Sequence, residues 1–98
     1  MLTLDEAKAL AIAYVRESLR DEKTELAVLD ENTEVKRYGW VLYVNSRAYL
    51  ESRDAINDML VGIGPIVVRH NGKVESLSSG LPSDESIAAF ERRHWPWL

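Results

Sequence analysis

Five consecutive bulky apolar residues, Trp40-Val41-Leu42-Tyr43-Val44, constrain this chain more than any other stretch. Aromatic and β-branched side chains dominate the run, which marks it as a β-strand. Its apolar character is continuous rather than alternating. That predicts a central strand with both faces partly covered. The neighbouring segments supply strands for it to pair with. Ile66-Val67-Val68-Arg69 reads as a strand that starts at Pro65, where the missing N–H does least harm. Asn71-Gly72 is a two-residue hairpin signal in which both positions favour positive φ, and Lys73 to Leu77 returns as the next strand. Upstream, Leu26–Leu29 is apolar and Thr33, Val35 and Tyr38 are strand-compatible. Asn32 marks a bend or bulge there and Tyr38-Gly39 a turn, so this segment is expected to form a hairpin with Trp40–Val44.

A helix flanks these strands at each end. Thr3 with Glu6 three residues later forms a capping box. Ala7, Leu10, Ala11, Tyr14, Val15 and Leu19 follow at helical spacing, which predicts a helix over about 4–19. Near the other end, Ser83 reads as an N-cap. Asp84 and Glu85 suit the positive first turn, Arg92, Arg93 and His94 suit the negative last turn, and Pro96 stops the helix. Between Arg47 and Ile63 the pattern is ambiguous: Ser46–Leu50 extends the strand or turns, and Ala55–Leu60 is one helical turn or a loop. The expected fold class is α+β: an N-terminal helix, a four-stranded antiparallel meander and a C-terminal helix, with both helices on one side. At 98 residues there is room for one core, so 1–98 is expected to be a single domain ending in an apolar tail at 95–98.

Composition removes several classes of function. There is no cysteine, hence no disulfide, thiolate zinc site, iron–sulfur cluster or cysteine nucleophile. Small secreted domains usually carry disulfides, which favours a reducing compartment. The start lacks the basic and apolar regions of a signal peptide, and no run approaches the ~18 apolar residues of a membrane span. The expected location is therefore cytoplasmic, with no membrane partner. The net charge is −4, and the first 34 residues hold nine acids against four bases. An acidic first third disfavours direct nucleic-acid binding and suits either a solvated face or a basic protein partner.

Catalytic, metal and cofactor constellations find no match in the spacing. His70 precedes the hairpin turn and His94 ends the last helix, neither at ligand spacing from another strong donor. Gly62-Ile63-Gly64 lacks the third glycine and the following helix of a dinucleotide-binding turn. The expectation is a protein that is not an enzyme, with no catalytic, cofactor-binding or metal-binding residues. Asp30, Glu31 and Glu34 form a carboxylate cluster. On a strand, Asp30 and Glu34 share one face and Glu31 takes the other. They are the candidate partner-binding residues together with Tyr49, against the alternative of a solvated, edge-protecting face. Trp40 is expected in the core. The 95–98 tail either packs on the sheet or forms an apolar hook.

The run Gly39-Trp40-Val41-Leu42-Tyr43, then Ser46–Glu51, Leu60–Val68 with its Gly62-Ile63-Gly64-Pro65, Asn71–Val74 and the 82–90 helix resembles the YrhB-domain family, also called immunity protein family thirty-five. The opening Thr3-Leu4-Asp5-Glu6-Ala7 fits as well, so the resemblance covers about 4–90. It implies a small cytoplasmic bacterial α+β protein that neutralises a toxin encoded beside it. For at least one branch it implies chaperone-like activity on unfolded clients instead. The matching Gly39, Trp40, Gly62, Gly64, Pro65 and Gly72 read as turns and packing, and no catalytic residue carries over. Two functions follow as expectations. One is an immunity protein that binds a cognate toxin as a monomer or weak homodimer. The other is a small holdase presenting Tyr49, Trp95 and Trp97.

Overall fold

Residues 2–20 and 23–97 are described by a computed structural model of the chain. The first helix, α1 (Leu4–Leu19), starts where the capping box places it. The Thr3 hydroxyl accepts from the Glu6 amide at 3.2 Å, and the Glu6 carboxylate accepts from the Thr3 amide at 2.9 Å. These bonds to Thr3 hold the Glu6 carboxyl below its ordinary pKa. Its buried stripe is Ala7, Ala11 and Val15, while Tyr14 and Leu19 lie at the rim. Small residues at two of three buried positions let the helix approach the sheet closely.

The expected meander is present, but its first two arms are each broken in two. Strands β1 (Leu26–Val28) and β2 (Glu34–Lys36) are separated by a short 3₁₀ turn, Asp30–Asn32. Strands β3 (Gly39–Leu42) and β4 (Val44–Ser46) are separated only by Tyr43. The Leu29 amide donates to the Tyr43 carbonyl at 2.8 Å and ties the two bends together. The result is a two-stranded sheet, β1-β4, and a four-stranded antiparallel sheet in which β2 and β3 are joined by β5 (Ile66–Arg69) and β6 (Val74–Ser76), in the order β2-β3-β5-β6. The β2–β3 turn falls on Arg37-Tyr38 and Gly39 is already in strand. At the other hairpin only Gly72 takes positive φ, at 90°. The Gly72 amide closes on the Arg69 carbonyl at 2.9 Å, so His70 and Asn71 are the turn centre and Gly72 absorbs the extra residue.

Cross-strand register assigns the two faces. Trp40 lies opposite Val68 and Leu42 opposite Ile66, and these side chains pack on α1 together with Leu26, Val28 and Val44. Val41 lies opposite Val67 on the other face, where both pack with Leu77, Ile87 and Phe90. Ile87 and Phe90 belong to the last helix, α3 (Ser83–His94). The two long helices thus cover opposite faces of the sheet, not one side. The unbroken run Trp40–Val44 requires this, because a strand with bulky side chains on both faces needs a layer on each. Phe90, Leu42, Ile66 and Val41 are the largest fully buried side chains, each stabilising the fold by about 1.5–3 kcal/mol of transfer free energy. Ser83 is the first residue of α3 rather than its cap; Pro82 occupies the cap position and makes no side-chain cap bond.

The ambiguous middle resolves into a short helix, α2 (Arg47–Ser52), and a loop running to Pro65. Ser46 caps α2: its hydroxyl accepts from the Tyr49 amide at 3.1 Å and donates to the Asp58 carbonyl at 2.6 Å. Among the described residues no helix is long and apolar enough to cross a membrane.

Candidate docking surfaces

The carboxylate cluster does not share one strand: Asp30 and Glu31 lie in the 3₁₀ turn, and Glu34 opens β2. Leu29 turns inward to a buried position, and the chain makes its 3₁₀ turn over Asp30–Asn32 before β2 begins. Asp30 pairs with Lys8 of α1 at 2.7 Å, on the α1 side of the molecule. That contact raises the Lys8 pKa. Glu34 opposes Val41 in the register and therefore faces the α3 side. There it accepts from the Tyr43 hydroxyl at 3.2 Å and lies 3.6 Å from Lys36. Burial pushes the Tyr43 hydroxyl pKa up, and the Glu34 charge adds to this. Asp30 and Glu34 are thus on opposite sides of the sheet, the reverse of the strand expectation, because the turn between them breaks the two-residue alternation.

Glu31 and Tyr49 are brought together. Arg53, just beyond α2, donates to the Glu31 carboxylate at 2.6 Å and lies over the Tyr49 ring at 5.9 Å. The Arg53 bond holds the Glu31 carboxyl below its ordinary pKa. Behind them the loop after α2 is fastened down by Asn45 of β4. This buried amide accepts from the Leu60 N–H at 2.8 Å and from the Ser46 N–H at 2.9 Å, and donates to the Leu60 carbonyl at 3.0 Å. Asp54 organises the loop tip, accepting from the Ile56 and Asn57 amides at 3.0 and 3.1 Å and from the Asn57 side chain at 2.8 Å. Those bonds, the Asn57 side chain's first, lower its pKa.

A second surface lies at the C-terminal end of α3; sequence reasoning named Trp95 and Trp97 there but missed Arg37, Tyr38 and Arg92. Trp95 stacks on Tyr38 with ring centroids 4.8 Å apart and 16° between planes. The Tyr38 hydroxyl donates to Glu91 at 2.8 Å, and burial together with that carboxylate drives its pKa well above the ordinary tyrosine value. Arg69 of β5 lies 5.4 Å from the Phe90 ring centroid and 5.6 Å from that of Trp95. Lys36 approaches Glu91 at 3.4 Å. A groove of about 320 Å³ runs over this region, lined by Lys36, Arg37, Tyr38, Glu91, Arg92 and Trp95 among others. A second depression of about 340 Å³ lies between Arg37, Tyr38, Trp95 and Trp97. The aromatic tail therefore divides: Trp95 packs, while Trp97 is 74% exposed, and Leu98 lies outside the described residues. The basic last turn of α3 and the Trp95-Pro96-Trp97 sequence were the available signals. Periodicity could not show that Arg37 and Tyr38, distant in sequence, meet them.

His70 and His94 serve packing. His70 sits edge-on to Trp40 at 4.9 Å, and His94 lies against Phe90 at 4.5 Å with an Arg69 nitrogen 3.2 Å from its Nδ1. Among the described residues no group of three or more His, Asp or Glu is placed to hold a metal ion.

A family model described as Immunity protein 35 aligns with residues 6–95. Neither the search of curated proteins nor that of solved structures produced a significant match.

Proposed function

Since the chain belongs to the Immunity protein 35 family, we propose that it binds one cognate protein toxin and neutralises it by covering the toxin's active site or substrate path. On this reading it performs no reaction of its own and acts in the cytoplasm, as a monomer or at most a weak homodimer. The extent of the match supports the reading best. Residues 6–95 take in α1 from Glu6 onward, both sheets and α3, so the likeness concerns nearly the whole folded unit and not a short motif. A stable interface occupies about 800 Å² per partner. The chain exposes 6263 Å², ample for one such patch. A holdase role gains nothing from the family match, and one of its three candidate patch residues, Trp95, is stacked on Tyr38.

The acidic residues Asp30, Glu31 and Glu34, with Tyr49, remain a proposed toxin-facing set. Their geometry weakens it, because each carboxylate already has a cation of the same chain within 4 Å. The function itself is tested by expressing the toxin domain encoded beside this chain in a host that lacks both. Co-expression of this chain should restore growth, and the two proteins should co-purify in a fixed ratio. Undiminished toxicity at equal or excess levels of this chain would overturn the reading.

A further inference from the structure

We propose that the groove at the C-terminal end of α3 receives an acidic segment of the partner protein. A partner carboxylate would engage Arg37 and Arg92, and an adjacent apolar side chain would lie against Trp95 and Trp97. That the partner is the toxin rests on the family-based reading above.

The first argument is charge. Lys36, Arg37 and Arg92 line the groove against one acid, Glu91. Glu91 is already engaged by the Tyr38 hydroxyl at 2.8 Å and by Lys36 at 3.4 Å. The guanidinium groups of Arg37 and Arg92 make no ion pair or hydrogen bond with any described residue, in contrast to Arg47, Arg53 and Arg93, each held by a glutamate. Two unpartnered guanidiniums beside one satisfied acid leave the groove positive within a chain of net charge −4. A planar cation of this kind recognises carboxylates through paired N–H donors.

The second argument is aromatic. Trp97 is 74% exposed and faces the same depression as Arg37, Tyr38 and Trp95. Tryptophan, tyrosine and arginine are the residue types that dominate binding energy at protein interfaces. Here their platform is preformed: Trp95 is fixed by its stack on Tyr38 and its edge contact with Phe90 at 5.9 Å. A nucleic acid could also use arginine and tryptophan. It needs a longer basic track than two free arginines provide, so the structure favours a protein partner.

The test measures affinity for the toxin domain encoded beside this chain by calorimetry, using full-length protein. Arg37→Glu with Arg92→Glu should weaken binding at least tenfold, and Trp97→Ala several-fold. Both arginines and Trp97 are exposed, so these variants should keep the wild-type fold by circular dichroism. Asp30→Lys with Glu31→Lys and Glu34→Lys should weaken binding less than the arginine pair does. Unchanged affinity in the arginine double variant would overturn the groove while leaving the toxin reading intact. If the wild-type chain fails to bind the toxin, the family-based reading falls, and the groove is then judged by NMR with a terminally blocked glutamate–phenylalanine peptide. Shifts of the Trp95 and Trp97 indole signals that vanish in Arg37→Glu/Arg92→Glu would uphold it; no shifts would overturn it. Tighter binding of a single-stranded oligothymidylate than of the peptide to the same signals would overturn the protein occupant.

Discussion

At the scale of single residues, Gly39 decides whether the central strand pair can form. It adopts φ of 147°, and a Cβ there would run into the Val68 carbonyl on the neighbouring strand. Gly39→Ala should therefore cost more than about 3 kcal/mol, combining backbone strain with separation of β3 from β5. Gly72 also takes positive φ, at 90°, but nothing lies within 4 Å of a Cβ built on it. Gly72→Ala should cost only about 1 kcal/mol. Urea unfolding of the two variants checks the order; equal losses would show that the close approach at Gly39 is not the reason for glycine there. The Gly39-Trp40 pair was legible from the sequence as a motif. Its cause was not, because the clash is with a residue 29 positions further along the chain.

At the scale of elements, the two long helices and the strand order were readable, while α2 and the bends were not. The α1 limits follow from a capping box and an apolar stripe, both local signals. The second sheet arises because Leu29–Thr33 and Tyr43 interrupt two arms at matching points, and each interruption is too short to leave a period of its own. The same interruption moved Asp30 and Glu34 to opposite sides. It undid the shared face expected of them, while Glu31 and Tyr49 met through Arg53, which spacing alone does not predict. Opposite placement of the helices was implicit in Trp40–Val44, whose bulky side chains alternate between two buried faces.

The loop after α2 gives an element-scale prediction. Asn45 makes three hydrogen bonds, two of them to the backbone of Leu60. Asn45→Ala leaves those groups without their partner and should destabilise the protein by about 2–3 kcal/mol. Hydrogen exchange should show the Leu60 amide losing protection well before the β3–β5 ladder does. Unchanged exchange at Leu60 would mean the loop is held by other contacts.

At the scale of the whole molecule, two cores on either side of one sheet leave the surface to carry the function. The edge strands β2 and β6 are three residues each, short edges that offer a poor template for strand addition from another chain. Side-chain surfaces are then the natural means of recognition. The three clustered carboxylates are largely neutralised from within by Lys8, Arg53 and Lys36, and the α3 end keeps free guanidiniums and an exposed tryptophan. Raising salt should slow association with a partner held at that end, since unpaired charges steer encounter and are screened.

The central claim is that this chain holds a toxin in a stoichiometric, inhibitory complex. The most direct measurement is titration of the purified chain into the active toxin proposed as its partner, following toxin activity. Activity should fall linearly to zero with an end point at a fixed molar ratio. Full toxin activity at a large excess of the chain would contradict the account.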